Sequence, residues 1–241
     1  MANILLRNIP NTLTCCNLIS GCVATTYAYI GNARMALVWI IIGAVFDFYD
    51  GMSARLLHVS SPIGKELDSL ADDITFGVAP ATILFSALSL STYPALLEPL
   101  HNYIPYVAFL MAAFSALRLA KFNLDERQTT SFIGMPTPAN ALFWGSLIAS
   151  QQSLLSSSAT ATVGLLVLML VCCWLLVCEL PMFALKFKHW GWKGNEVRYG
   201  FMLVSALFIG VFGFIESFWM IITLYLLTST VLWLRSRSRK A

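Results

Sequence analysis

Charge is scarce in this chain. Only 11% of its 241 residues are Asp, Glu, Lys or Arg, and 58% are hydrophobic; a soluble domain carries about 25% charged residues. This composition excludes an ordinary soluble domain and points to one all-α, membrane-embedded domain over residues 1–241. The net charge is +3, and no basic cluster is interleaved with aromatics, which argues against a nucleic-acid partner. His58, His101 and His189 share no partner pattern, and Cys15, Cys16, Cys22, Cys172, Cys173 and Cys178 lack zinc-ligand spacing. The cysteines are expected to act as small buried hydrophobes. Residues 1–10 have no long apolar core followed by a small-residue cleavage site, so no cleavable signal peptide is expected. There is no linker and no internal repeat, and the only low-complexity patch is SQQSLLSSS at 150–158.

What is present is hydrophobic length. A span needs about 20 apolar residues. Eight such helices are expected, over residues 13–30, 35–54, 64–90, 103–122, 138–153, 159–185, 199–214 and 218–234. If both termini are cytoplasmic, 14 of the 15 Lys and Arg fall on the inner side and only Arg34 falls outside. That asymmetry is what the positive-inside rule demands. Residues 235–241 form a basic tail, expected to be a disordered anchor to anionic headgroups. Trp190 and Trp192 suit an interfacial aromatic belt, and Glu179 and Glu216 stand isolated.

The few acids are not scattered. Asp47, Asp50, Glu66, Asp68, Asp72 and Asp73 are half of the twelve acidic residues, and they fall within 27 positions. Asp costs roughly 2.5–3.5 kcal/mol to place near hydrocarbon, so such a concentration in a membrane chain calls for a reason. Asp47 and Asp50 are three apart near the end of the second helix, and Asp68 and Asp72 are four apart near the start of the third. Each spacing puts two carboxylates on one helix face. Ser60, Ser61 and Pro62 turn the chain between them, so the two pairs can converge. Four facing carboxylates repel one another unless a cation sits between them. Oxygen-only ligands suit hard ions such as Mg²⁺ or Mn²⁺, and four can share two ions. Gly51 and Gly64 leave room beside the acids, Ala54 keeps that face shallow, and Arg55 can grip a phosphate. Asp73 cannot face the same way as Asp72 and is expected to meet water or a base. Helix-dipole compensation is the plain alternative for Asp68 and Asp72, but not for Asp47 and Asp50 near a C-terminus.

The order Asp47-x2-Asp50-Gly51-x2-Ala54-Arg55-x8-Gly64-x3-Asp68-x3-Asp72 resembles the full signature of the CDP-alcohol phosphatidyltransferase family. The resemblance implies a six-helix catalytic core, here with about two further helices, two divalent cations and a homodimer. It also implies transfer of a phosphatidyl group from a CDP-linked lipid to an alcohol with release of CMP. The four aspartates would hold the metals, Asp72 would take the proton of the acceptor hydroxyl, and Gly51, Arg55 and Ser61 would contact the nucleotide.

The core signature does not name the alcohol. Asn11, Thr14, Asn17-Leu18 and Gly21, LDSLADDITFGVAPA at 67–81 and ALRLAKFNLDERQTTSFIGMPTPANA at 116–141 resemble the branch that pairs CDP-diacylglycerol with L-serine. Serine is zwitterionic, so its carboxylate needs a cation. Arg118, Lys121 and Arg127, with Asn123, crowd the fourth-to-fifth segment, and Asn17 is polar within a span. These five are the candidate acceptor contacts; loop charge obeying the positive-inside rule and a helix–helix hydrogen bond are the plain alternatives. Glycerol 3-phosphate or inositol is the rival acceptor. A divalent-cation transporter would use the same acids, but near the midplane of broken helices, and an adaptor would not need them.

Overall fold

The structure, a computed structural model, describes residues 4–59, 61–125, 133–182, 191–192 and 195–238. Arg127, a candidate acceptor contact, lies outside them, as do His189, Trp190 and Ser60.

The described residues form an all-α bundle of eight rods. Helix α1 (Ile4–Tyr29) runs through Pro10, earlier than the apolar pattern suggests. Gly31, at φ +82°, and Asn32 turn the chain, and the Asn32 carboxamide accepts from the Met35 N–H to cap α2 (Ala33–Leu56). His58, at φ +51°, ends that helix. Ser61 caps α3 (Pro62–Asp72) by accepting from the Gly64 N–H at 2.9 Å, with Pro62 at the first position.

The third rod is not uniform. A π-helical turn, Asp73–Val78, joins α3 to α4 (Ala79–Ser89). Such turns occur mostly as single insertions and often at functional sites. After two short 3₁₀ turns come α5 (Leu110–Leu124), α6 (Thr137–Ser156) and α7 (Ala159–Val177). Gly213, at φ +94°, is the whole joint between α8 (Glu196–Phe212) and α9 (Phe214–Ser238).

Five segments are long and apolar enough to cross a membrane: Ala33–Leu56, Pro62–Ser89, Ile104–Leu124, Ala159–Val177 and Phe214–Arg235. With the bundle, they make the chain a multi-pass membrane protein. Helix α6 sits at the centre, against α2, α4, α7 and α9, with Trp144 and Ile148 fully buried beside Phe76, Leu37 and Met169. Close approach there depends on Gly145: a Cβ would fall 2.8 Å from Leu37. Helix α9 leans on α6, and α8 leans on α9 with no buried residue of its own. Six rods thus enclose the core and two flank it.

Four sequence expectations need correction. The basic tail is helical to Ser238, because Arg237 lies over the Trp233 ring at 4.6 Å one turn back. Helix α7 stops at Val177 rather than 185, and Pro181 instead bridges to Ile133. Cys15 and Cys22 are exposed on the outer face of α1 rather than buried. Glu216 is not isolated either, since Arg34 donates to it at 2.9 Å and ties the head of α2 to that of α9.

Candidate active site

The end of α2 and the start of α3 meet as the spacing requires. Asp47, Asp50 and Asp68 each bring one carboxylate oxygen within 4.8 Å of the others. Two helices supply this set, so their charges must be held together by something other than chain connectivity. Part of that restraint is local. Thr14 of α1 donates to Asp50 Oδ2 at 2.7 Å and also to the Pro10 carbonyl. The backbone N–H of Gly51 faces the same carboxylate. Asp72 lies one turn beyond Asp68, outside that set of three and within hydrogen-bonding reach of Asp47. The set of hard oxygen ligands fits a divalent cation, and the three clustered carboxylates can hold one.

Asp72 is supported from the opposite side. The Asn17 carboxamide, fully buried in α1, donates to Asp72 Oδ1 at 3.0 Å. The π-helical turn fixes Asn17 in return, because the Thr75 hydroxyl donates to the Asn17 carbonyl at 3.0 Å. Gly43 makes the arrangement possible: a Cβ there would fall 2.6 Å from Thr75 Cγ2 and 2.9 Å from Asn17 Oδ1. Asn17 therefore bonds a neighbouring helix, the plain alternative to an acceptor contact, and in doing so orients Asp72. The π-helical turn gave no sequence signal, although Thr75 falls within the motif at 67–81.

Beside the carboxylates opens a cleft of about 270 Å³, lined by Thr14, Asp50, Gly51, Ala54, Ser61, Gly64, Lys65 and Asp68 among others. Four of the five residues expected to contact the CDP-lipid face it: Gly51, Ala54, Ser61 and Gly64. The fifth, Arg55, does not line it: it is exposed, with its guanidinium 4.0 Å from where a Cβ on the cleft residue Gly51 would stand. Gly64 is needed because a Cβ would fall 3.0 Å from both Asn11 Oδ1 and Ser61 Oγ. The Ser61 hydroxyl already caps α3, so it can meet a ligand only through its remaining capacity.

The acceptor candidates separate in space. Arg118 is buried in α5, within electrostatic reach of Asp72, and shares a second, smaller pocket with Lys121. Asn123 points elsewhere: its carboxamide donates to Ser69 and its carbonyl accepts from Lys65, strapping α5 to α3. Asp73 is half-buried, and no base pairs with its buried Oδ1 among the described residues. That oxygen lies against Gly77 and Ser115.

A multi-helix membrane bundle whose clustered acids could hold a metal ion beside an open cleft suits the class of phosphotransferases. The family model described as CDP-alcohol phosphatidyltransferase matches residues 7–186, and the chain belongs to that family. The chain is 38% identical over 134 residues to a CDP-diacylglycerol–serine O-phosphatidyltransferase of Bacillus subtilis, covering 54% of this chain and 69% of that relative. Proteins of the same name from Mycobacterium leprae and Helicobacter pylori are 32% and 34% identical. Those matches take in 73% and 55% of this chain, and 58% and 54% of the relatives' length.

Proposed function

We propose that this protein transfers the phosphatidyl group of CDP-diacylglycerol to the hydroxyl of L-serine, giving phosphatidylserine and CMP. The observation that carries the reading is the meeting of the α2 and α3 carboxylates beside a cleft, with Arg55 near its Gly51 wall. The relatives' names supply the acceptor. Glycerol 3-phosphate and inositol are the alternatives.

Asp47, Asp50, Asp68 and Asp72 would hold two divalent cations, Mg²⁺ or Mn²⁺. When bound, such ions neutralise diphosphate charge and stabilise the leaving CMP. The chain's own groups do the rest. Arg55 grips phosphate, while Gly51 and Gly64 let the nucleotide lie close to the backbone. Asn17 turns Asp72 so that its other oxygen faces the acceptor. The serine oxygen attacks the β-phosphorus in line and its proton goes to Asp72. The new P–O bond forms as the bond from that phosphorus to the bridging oxygen breaks, and CMP leaves with the electron pair. A carboxylate that also binds cations is a weak base, so orientation contributes more than basicity.

The whole chain works as one catalytic domain in the cytoplasmic membrane, with site and termini facing the cytoplasm and two copies pairing as a homodimer. The charge asymmetry supports the orientation.

Arg55→Lys replaces a two-pronged donor by a point charge. Its KM for CDP-diacylglycerol should rise several-fold with kcat little changed; an unchanged KM would remove Arg55 from the phosphate. The function itself is tested with purified protein in detergent, CDP-diacylglycerol, Mn²⁺ and labelled L-serine, glycerol 3-phosphate or inositol. Serine-dependent CMP release with labelled phosphatidylserine is expected. Product from another alcohol alone would transfer the protein to a sister activity.

A further inference from the structure

A second pocket lies between α5 and the C-terminal end of α7, and nothing above gives it a complete role. It holds about 50 Å³ and carries both signs of charge: Arg118 and Lys121 from α5, Asp125 just beyond α5, and Glu179 just beyond α7. Arg118 is 94% buried by its 6% exposure, yet among the described residues its Nε and Nη2 have no hydrogen-bond partner. A buried guanidinium with two idle donors is costly unless something anionic completes it. The ring of Phe122 at 5.9 Å offers only a weak contact. Arg118 also lies within electrostatic reach of Asp72.

The opposite wall has the complementary chemistry. The pocket touches Leu176, Val177, Cys178 and Glu179, where the backbone leaves α7. A helix C-terminus carries partial negative charge, and Glu179 adds a full one. The segment that closes this wall is held firmly. The Met135 N–H donates to the Leu175 carbonyl and the Gly134 N–H to the Leu180 carbonyl, each at 2.8 Å. Gly134, at φ +73°, has no room for a side chain: a Cβ would lie 2.9 Å from the Cys178 carbonyl.

We propose that this pocket is the amino-acid subsite, where Arg118 receives the carboxylate of the acceptor and Glu179, with the end of α7, receives its ammonium. The inference rests on the serine reading above and adds Glu179, which no sequence motif marked. Arg118 anchors one end of the molecule next to Asp72, which leaves the hydroxymethyl group directed at the acid cluster. The pocket has room for a few waters, and so for small charged groups.

The test compares wild-type protein with Glu179→Gln and Arg118→Gln, using L-serine and two analogues that each lack one charge: ethanolamine without the carboxylate and 3-hydroxypropionate without the ammonium. Wild type should use L-serine at a KM at least tenfold below that of either analogue. In Glu179→Gln the KM for L-serine should rise about tenfold or more, with the KM for CDP-diacylglycerol unchanged. Discrimination against 3-hydroxypropionate should shrink in Glu179→Gln, and discrimination against ethanolamine should shrink in Arg118→Gln. A Glu179→Gln enzyme whose KM for L-serine stays within twofold of wild type overturns the subsite. If the variants fail to fold, wild type alone decides: 3-hydroxypropionate competing as well as L-serine also overturns it. No phosphatidylserine from wild type at all would instead defeat the functional reading beneath it.

Discussion

Asp72→Asn should lower turnover by about 10²- to 10⁴-fold, the usual contribution of a positioned acid–base group, while CDP-diacylglycerol still binds. Asparagine keeps the shape and can still accept from Asn17, whose donor is 3.0 Å from Oδ1. It cannot take the acceptor proton, and it weakens the charge that Asp47 and Asp72 present together. Single-turnover CMP release measures the chemical step and equilibrium binding of the lipid measures the rest. Near wild-type turnover would remove Asp72 from the proton transfer. Asn17→Ala gives an intermediate case. It leaves the carboxylate in place but unoriented, so kcat should fall by less than in Asp72→Asn, with the KM for CDP-diacylglycerol unchanged.

Gly21→Val should cost both stability and activity. A Cβ at Gly21 would lie 2.8 Å from the Thr75 Cα and 2.9 Å from its backbone nitrogen. Backbone cannot swing aside as a side-chain tip can, so α1 must move off the π-helical turn. Overpacking of this kind costs typically 1–3 kcal/mol. The same shift breaks the Thr75 bond to the Asn17 carbonyl and so releases Asp72. Two glycines provide controls, since a Cβ at Gly164 or Gly210 meets nothing within 4 Å. Gly164→Val and Gly210→Val should melt like wild type in detergent and keep their turnover. If Gly21→Val behaves like them, the close crossing of α1 and the third rod is wrong.

The acid cluster was legible because its logic is local. Two pairs at helical spacing, with Ser61 and Pro62 between them, can converge only if the helices turn back, and they do. The eight rods were legible for a similar reason, since hydrophobic length is read along the chain. What escaped was set by contacts between distant residues. The bond from Asn17 to Asp72 joins positions 55 apart, and Arg34 meets Glu216 across 182. Neither leaves a periodic trace. The π-helical turn is equally silent: Asp73–Val78 buries Thr75, Phe76 and Gly77, but no residue type in it distinguishes a π turn from other helix. Glu179 stood alone in sequence because its pocket is built by α5, more than fifty residues earlier.

Phosphatidyl transfer at this site requires carboxylates from α2 and α3 to hold divalent cations jointly. Mn²⁺ binding to the purified protein, followed by electron paramagnetic resonance, tests this directly. Wild type should bind Mn²⁺ and lose it on chelation, and Asp50→Asn on α2 and Asp68→Asn on α3 should each weaken binding strongly while the protein remains folded. Binding that is unchanged in both variants, or that depends on one helix alone, would contradict the shared site.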